Sequence, residues 1–222
     1  MFKLVIGNKN YSSWSLRPWF LLKHADIPFE EILIPLYEID WRKHILKYSP
    51  TGKVPCLIDG KAVVWESIAI CEYVAELFPG CYLLPKDPVV RAEVRSVSAE
   101  MHAGFFNMRK TMPMNVRKRF PGHGRTPETN ADIRRITEVW NSCRERFGDR
   151  GPFLFGEFTM ADAMFAPVCT RFLTYGVELP EPARAYMQYM LNTPAMKEWY
   201  AAALTEPQII AHSEVDDEPG MV

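Results

Sequence analysis

The chain has 222 residues, 48% apolar and 24% charged, proportions that suit a globular protein with a sizeable buried core. Its 26 basic and 27 acidic side chains leave a formal charge of −1, so the long-range positive field that gathers nucleic acid or anionic membrane is missing. Five cysteines, Cys56, Cys71, Cys81, Cys143 and Cys169, are scattered without a C-x-x-C pair, which argues against a disulfide framework or a zinc site and for a reducing compartment.

Phe2 to Ile6 reads as a buried strand that meets polar Asn8-Lys9-Asn10 too soon for a signal peptide. No apolar stretch approaches the roughly 18 residues of a membrane span, so the expected location is the cytoplasm. A helix follows over 16–25, with Pro18 tolerated in its first turn, then a strand over 30–35 and a short amphipathic helix over 39–48. In Gly52-Lys53-Val54-Pro55-Cys56-Leu57-Ile58-Asp59-Gly60 the proline cannot donate to a ladder, so Pro55 belongs at the first residue or edge of a strand. Asp59-Gly60 is a hairpin signal, and the second strand ends in Glu66-Ser67, which opens a helix through Ile68, Cys71, Val74 and Phe78. The order is βαβαββα, a mixed four-stranded sheet.

A Pro-rich linker over 80–88 separates this unit, 1–79, from a second unit over 89–222 in which no strand pattern recurs. Helices are expected there over 89–112, 130–147, 160–175, 181–191 and 194–203, with 214–222 as a frayed or draped tail. Arg109, Lys110, Arg117, Lys118, Arg119 and Arg125 read as a solvated helix face and loop.

Several residues carry chemistry by type and position. Glu66 and Ser67 put an acid, a hydroxyl and free N–H groups at a helix N-terminus, a site for a small anionic ligand. Ser12, Ser13 and Ser15 are N-cap candidates for the first helix. Thr159 and Asp162 have the spacing of a reciprocal capping box and are read as structural. His24, His44, His102, His123 and His212 have no ligand spacing, so no metal is expected.

Taken in order, Ser12-Ser13-Trp14-Ser15-Leu16-Arg17, the Val54-Pro55-x-Leu57 turn, Glu66-Ser67 and Thr159-Met160-Ala161-Asp162 resemble the glutathione transferase superfamily across nearly the whole chain. The resemblance implies an α/β thioredoxin-like domain followed by an all-α domain. It also implies a cytosolic homodimer that conjugates glutathione, as co-substrate, to a small hydrophobic electrophile, typically in detoxification. The start of the motif looks Ser-type, zeta-like or tau/theta-like.

Within that resemblance Ser12 is the hydroxyl expected to favour the thiolate, the nucleophilic form of the thiol, with Ser13 and Tyr11 as alternates. Glu66 and Ser67 take the γ-glutamyl end, Ser67 on the carboxylate and Glu66 toward the ammonium. Val54 offers its backbone to the cysteinyl part beside a cis bond to Pro55, and Lys53, with Arg42 and Lys43 as further candidates, takes the glycyl carboxylate. Met101, His102, Phe105 and Phe106 are expected to wall the electrophile pocket, an apolar surface that repacks readily.

Two departures matter. Cys-type members carry a thiol where this chain has Ser12, which leaves Cys56 as a small core residue. The zeta class, whose members isomerise maleylacetoacetate-type double bonds, has Cys where Trp14 stands. A glutathione-dependent isomerase and a non-catalytic binding or scaffolding protein on the same fold remain alternatives.

Overall fold

Alternation along Phe2-Lys3-Leu4-Val5-Ile6 sends Phe2, Leu4 and Ile6 to one face of a sheet and Val5 to the other, and both faces are buried. The computed structural model describes residues 1–215. In it β1 (Phe2–Ile6) lies between β2 (Phe29–Leu33) and β3 (Cys56–Asp59), with β4 (Ala62–Trp65) at the edge, giving the order β2-β1-β3-β4. β2 runs parallel to β1, Phe2 opposite Phe29, whereas β3 and β4 are antiparallel, Leu4 opposite Leu57 and Leu57 opposite Val64. Gly60, at φ +57°, makes the hairpin turn in a conformation that suits a residue without Cβ.

The parallel pair needs a crossover, and α1 (Ser13–His24) supplies it. α1 and α3 (Ser67–Leu77) bury Leu16, Phe20, Ile70 and Val74 with Phe2, Leu4 and Ile6, while Ile45 of α2 (Trp41–Leu46) joins Val5, Ile34 and Cys56 on the opposite face. This is the expected thioredoxin-like arrangement. α2 is shorter than the helix expected over 39–48, because Asp40 adopts the left-handed region at φ +60° and the helix starts only at Trp41.

The remaining described elements are helical: α4 (Pro88–Ala103), α5 (Phe106–Thr111), α6 (Pro127–Phe147), α7 (Met160–Thr174), α8 (Ala183–Asn192) and α9 (Pro194–Thr205). The single helix expected over 89–112 is broken between α4 and α5. Phe105 turns to φ +58°, and a Cβ on Gly104 would lie 2.7 Å from the Glu100 carbonyl oxygen, so the chain needs glycine to turn there. α7 is buried at every position but Leu173 and packs against both α1 and α4, which makes it the axis joining the two units.

The Thr159–Asp162 capping box closes at the start of α7. Asp162 Oδ2 accepts from the Thr159 N–H at 2.8 Å, and Oδ1 accepts from the Leu154 N–H at 3.0 Å and the Tyr186 hydroxyl at 3.2 Å. Its fully buried carboxylate thereby joins the loop before α7, the cap and α8. Burial pushes the carboxyl up to about 6 while these donors pull it down.

After α9 the chain returns to the start of α1. Glu206 Oε1 accepts from the Lys9 N–H at 2.6 Å and Oε2 from the Asn10 N–H at 2.9 Å. Arg117 donates to the Gln208 carbonyl at 2.6 Å and to that of Glu206, and Glu214 meets Lys118 Nζ at 2.8 Å. Glu214 is therefore anchored rather than frayed; residues 216–222 of the expected tail lie outside the described residues.

Asp162→Ala strips the cap and orphans buried donors, each worth about 1–3 kcal/mol, so the melting temperature should drop by roughly 5–15 °C. Activity per folded molecule, from active-site-titrated turnover, should stay within twofold of wild type. A second expectation concerns the returning segment: Glu206→Ala should accelerate hydrogen exchange at the Lys9 and Asn10 amides selectively, with the α7 amides keeping wild-type protection.

Candidate functional site

Where the N-termini of α1 and α3 approach one another the surface is concave. A cavity of about 570 Å³ is lined by Tyr11, Ser12, Ser13 and Trp14 from the start of α1, by Leu36, Tyr37, Trp41, Arg42 and Leu46 around α2, and by Lys53 and Val54. Ile210, His212 and Ser213 of the returning segment close one side. A second cavity of about 300 Å³ shares Trp14, Thr51, Lys53 and Val54 with the first and continues to Glu66 and Ser67. The two form one groove from helix start to helix start.

Its α3 end is built by strain and by a buried cation. Glu66 sits at φ +67°, ψ 125°, a backbone conformation that costs a non-glycine residue on the order of 1–3 kcal/mol and that re-aims the chain from β4 into α3. Ser67 is fully buried, and its Oγ accepts from Arg17 Nη1 at 3.3 Å. Glu66 is exposed, its Oε2 3.6 Å from His102 Nε2. Burial, and then Arg17, hold the His102 imidazole below its ordinary value, so at neutral pH it is uncharged. The Val54–Pro55 peptide is cis, as the resemblance implies, and Val54 lies just ahead of β3.

At the α1 end three hydroxyls line the larger cavity. Ser12 is the N-cap residue but makes no capping bond with its side chain; its hydroxyl donates to Ser15 Oγ at 2.7 Å, which also accepts from the Gly7 N–H at 3.1 Å. Tyr11 donates to Glu214 Oε1 and accepts from Arg117 Nη2 at 2.9 Å. Ser13 accepts from Arg171 Nη2 at 3.1 Å. Arg171 and Arg117 were not singled out for this site by the sequence, and Arg117, far from being solvated, is tied inward.

Of the four residues expected to wall the electrophile pocket, none lines either cavity. Met101 is fully buried and Phe105 nearly so, both in the core, while Phe106 is 65% exposed on the far side of the break at Gly104. His102 touches Glu66 and the edge of the Trp14 ring, 5.3 Å between centroids. The apolar lining of the larger cavity comes from Leu36, Tyr37, Trp41 and Ile210, among others. Of the basic candidates, Lys53 and Arg42 line the larger cavity, whereas Lys43 pairs with Asp40 at 2.7 Å.

Cys56 and Cys71 are fully buried and line neither cavity, and burial pushes both thiols up, Cys71 to about 12. Neither is the accessible thiolate that disulfide exchange requires. Among the described residues no cluster of three or more His, Cys, Asp or Glu side chains could hold a metal ion, and no helix is long and apolar enough to cross a membrane.

Comparison with known proteins bears on the fold and the family. A stringent starvation protein A homologue of Coxiella burnetii (strain RSA 493 / Nine Mile phase I) is 27% identical over 164 residues, 74% of each chain. A Caenorhabditis elegans protein described as a probable maleylacetoacetate isomerase is 35% identical over 92 residues, 41% of this chain and 42% of that one. A glutathione transferase homologue from Burkholderia GL BGR1, solved with bound glutathione, shares the fold at a TM-score of 0.68 with 20% identity, covering 91% of this chain and 97% of that one. Family models for the glutathione S-transferase N-terminal domain match residues 11–77 and for the C-terminal domain residues 126–202, and the chain belongs to the glutathione S-transferase superfamily.

Proposed function

We propose that this protein is a glutathione transferase that holds glutathione along the groove and presents its thiolate to a small hydrophobic electrophile. The observation that carries the reading is that Glu66 and Ser67, at the N-terminus of α3, open onto the same groove as the hydroxyls at the start of α1, with Val54 between them. The α-carboxylate of glutathione lies against the Ser67 hydroxyl and the N–H groups of the first turn of α3, where the helix dipole and the Arg17 charge favour an anion. Its α-ammonium faces the Glu66 carboxylate. The backbone of Val54 meets the cysteinyl part strand-fashion, and Lys53, with Arg42, lies within the same groove for the glycyl carboxylate.

A hydroxyl at the start of α1 donates to the sulfur, and the apolar wall of Leu36, Tyr37, Trp41 and Ile210 receives the electrophile. Closing that wall over the thiolate excludes water and strengthens each donor aimed at it. The same reading takes the protein as a cytoplasmic homodimer acting in detoxification, with units 1–79 and 89–222 joined through 80–88.

The 35% identical stretch shared with the maleylacetoacetate isomerase relative favours a second reading, a glutathione-dependent isomerisation in which the thiolate adds to a double bond and leaves again. Product analysis with aryl halides, epoxides, peroxides and maleylacetoacetate analogues separates the two. A glutathione conjugate marks the first reading, whereas unconsumed glutathione with an isomerised product marks the second.

Glu66→Ala and Ser67→Ala should each weaken glutathione binding about tenfold or more, since a hydrogen bond to a charged group is worth about 1.5–3 kcal/mol. Calorimetric titration measures this directly. Wild-type affinity in both variants would remove the site.

A further inference from the structure

Of the three hydroxyls at the α1 end of the groove, Tyr11, Ser12 and Ser13, one has its proton to spare among the described residues. A hydroxyl stabilises a thiolate by donating, and each carries a single proton. Tyr11 gives its proton to Glu214, and Ser12 gives its proton to Ser15 Oγ at 2.7 Å. Ser13 is arranged the other way round: its oxygen accepts from Arg171 Nη2 at 3.1 Å, and among the described residues no acceptor takes its hydrogen. Ser13 is also the first residue of α1, where the helix N-terminus favours negative charge, and it lines the larger cavity.

We infer that Ser13 is the hydroxyl that meets the glutathione sulfur and that Arg171 is its positioning residue, fixing the Ser13 oxygen as an acceptor so that its proton points into the groove. The inference rests on the glutathione reading above and names the group that reading leaves open.

Arg171 is built for this role at some expense to the fold. It stands in the otherwise apolar run of α7, 4% exposed, with Nε donating to the Met112 carbonyl at 2.8 Å. Its Nη1 is buried with no partner among the described residues. A guanidinium in that state is costly to keep, and among the described residues no carboxylate accepts from it, so packing alone gives no reason for it.

The groups facing it add to its effect. Arg17 on α1 and Arg109 on α5 are like charges, Tyr175 on α7 is held neutral as burial pushes its phenol up, and the Glu214 carboxylate is matched by Lys118. Arg171 itself is lowered to about 10 by burial and Arg109, and so stays cationic at neutral pH. Two guanidiniums besides that of Arg171 thus stand near it. A guanidinium donating to a hydroxyl oxygen polarises the O–H bond and makes it the stronger donor. The step balances simply: the glutathione thiol loses its proton to water, and the remaining thiolate accepts the Ser13 hydrogen bond.

The test is the ionisation of the bound thiol, followed by thiolate absorbance against pH at saturating glutathione, with affinity measured in parallel by calorimetry. Ser13→Ala should raise the bound thiol's pKa by about one unit, cutting the thiolate fraction up to about tenfold at a fixed lower pH, with glutathione affinity retained. Ser12→Ala and Tyr11→Phe should titrate like wild type. Arg171→Met should raise the pKa as well, Arg171→Lys should restore part of the shift, and combining Ser13→Ala with Arg171→Met should add little to either alone, because both act through one donor.

Ser13→Ala is small enough to fold whatever becomes of the arginine variants, so it decides the matter by itself. A wild-type titration in Ser13→Ala, with an upward shift in Ser12→Ala or Tyr11→Phe, overturns the assignment while leaving the glutathione reading intact. Absence of glutathione binding by the wild-type protein defeats both.

Discussion

Arg17 is the side chain on which the two units and the groove all depend. From α1 it donates to the Met164 carbonyl of α7 at 3.2 Å, to the Met101 carbonyl of α4 at 3.4 Å and to Ser67 Oγ at the head of α3 at 3.3 Å. The Trp14 ring lies 4.3 Å from its guanidinium carbon, within cation–π range. Burial, then Arg171 and Arg109, lower it to about 9, the cost of keeping a cation 1% exposed in this position. Replacing it with an apolar residue would leave the first turn of α3 without its internal donor and Trp14 without the cation beneath it. The fold therefore holds its charge at the head of α3, and the stability of the contact between the units is coupled to the electrostatics of the groove.

The same coupling places two buried cations beside the groove in a chain of net charge −1. Exposed pairs such as Arg95 with Glu72 and Arg135 with Glu100 cancel at the surface and contribute little. Arg17 and Arg171 are buried and donate to carbonyls and hydroxyls, so among the described residues their charge is not paired with a carboxylate, and burial shields it from bulk salt.

Glu66 and Ser67 were legible because a helix N-terminus is local chemistry: an acid, a hydroxyl and the turn before them fix the expectation within a few residues. Thr159 and Asp162 were legible for the same reason, and the pairing of β3 with β4 followed from Asp59-Gly60. The apolar lining of the groove was not. Where Phe105 and Phe106 point depends on the break at Gly104, which hangs on the approach of its Cα to the Glu100 carbonyl, and a Met-rich periodic stretch gives no hint of it. Ile210 and His212 reach the groove through pairings of Glu206, Gln208 and Glu214 with residues far away in sequence, and no spacing rule reports those. Arg171 did leave a signal, since it and Asp162 are the charged residues in an otherwise uncharged α7. A cation inside a helix apolar all round is rarely there for packing.

The return of the chain after α9 also bears on the order in which the protein is made. Glu206 clasps the backbone of Lys9 across 197 residues of sequence, and the wall at Ile210 and His212 depends on that clasp. On the ribosome, the strands and helices that frame the groove emerge first, and the segment that closes its side is translated well after them. A nascent chain that has not yet reached Glu206 thus displays Ser12, Ser13 and the head of α3 without the side that Ile210 and His212 supply, so the groove takes its enclosed form only once residues 206–213 have been made.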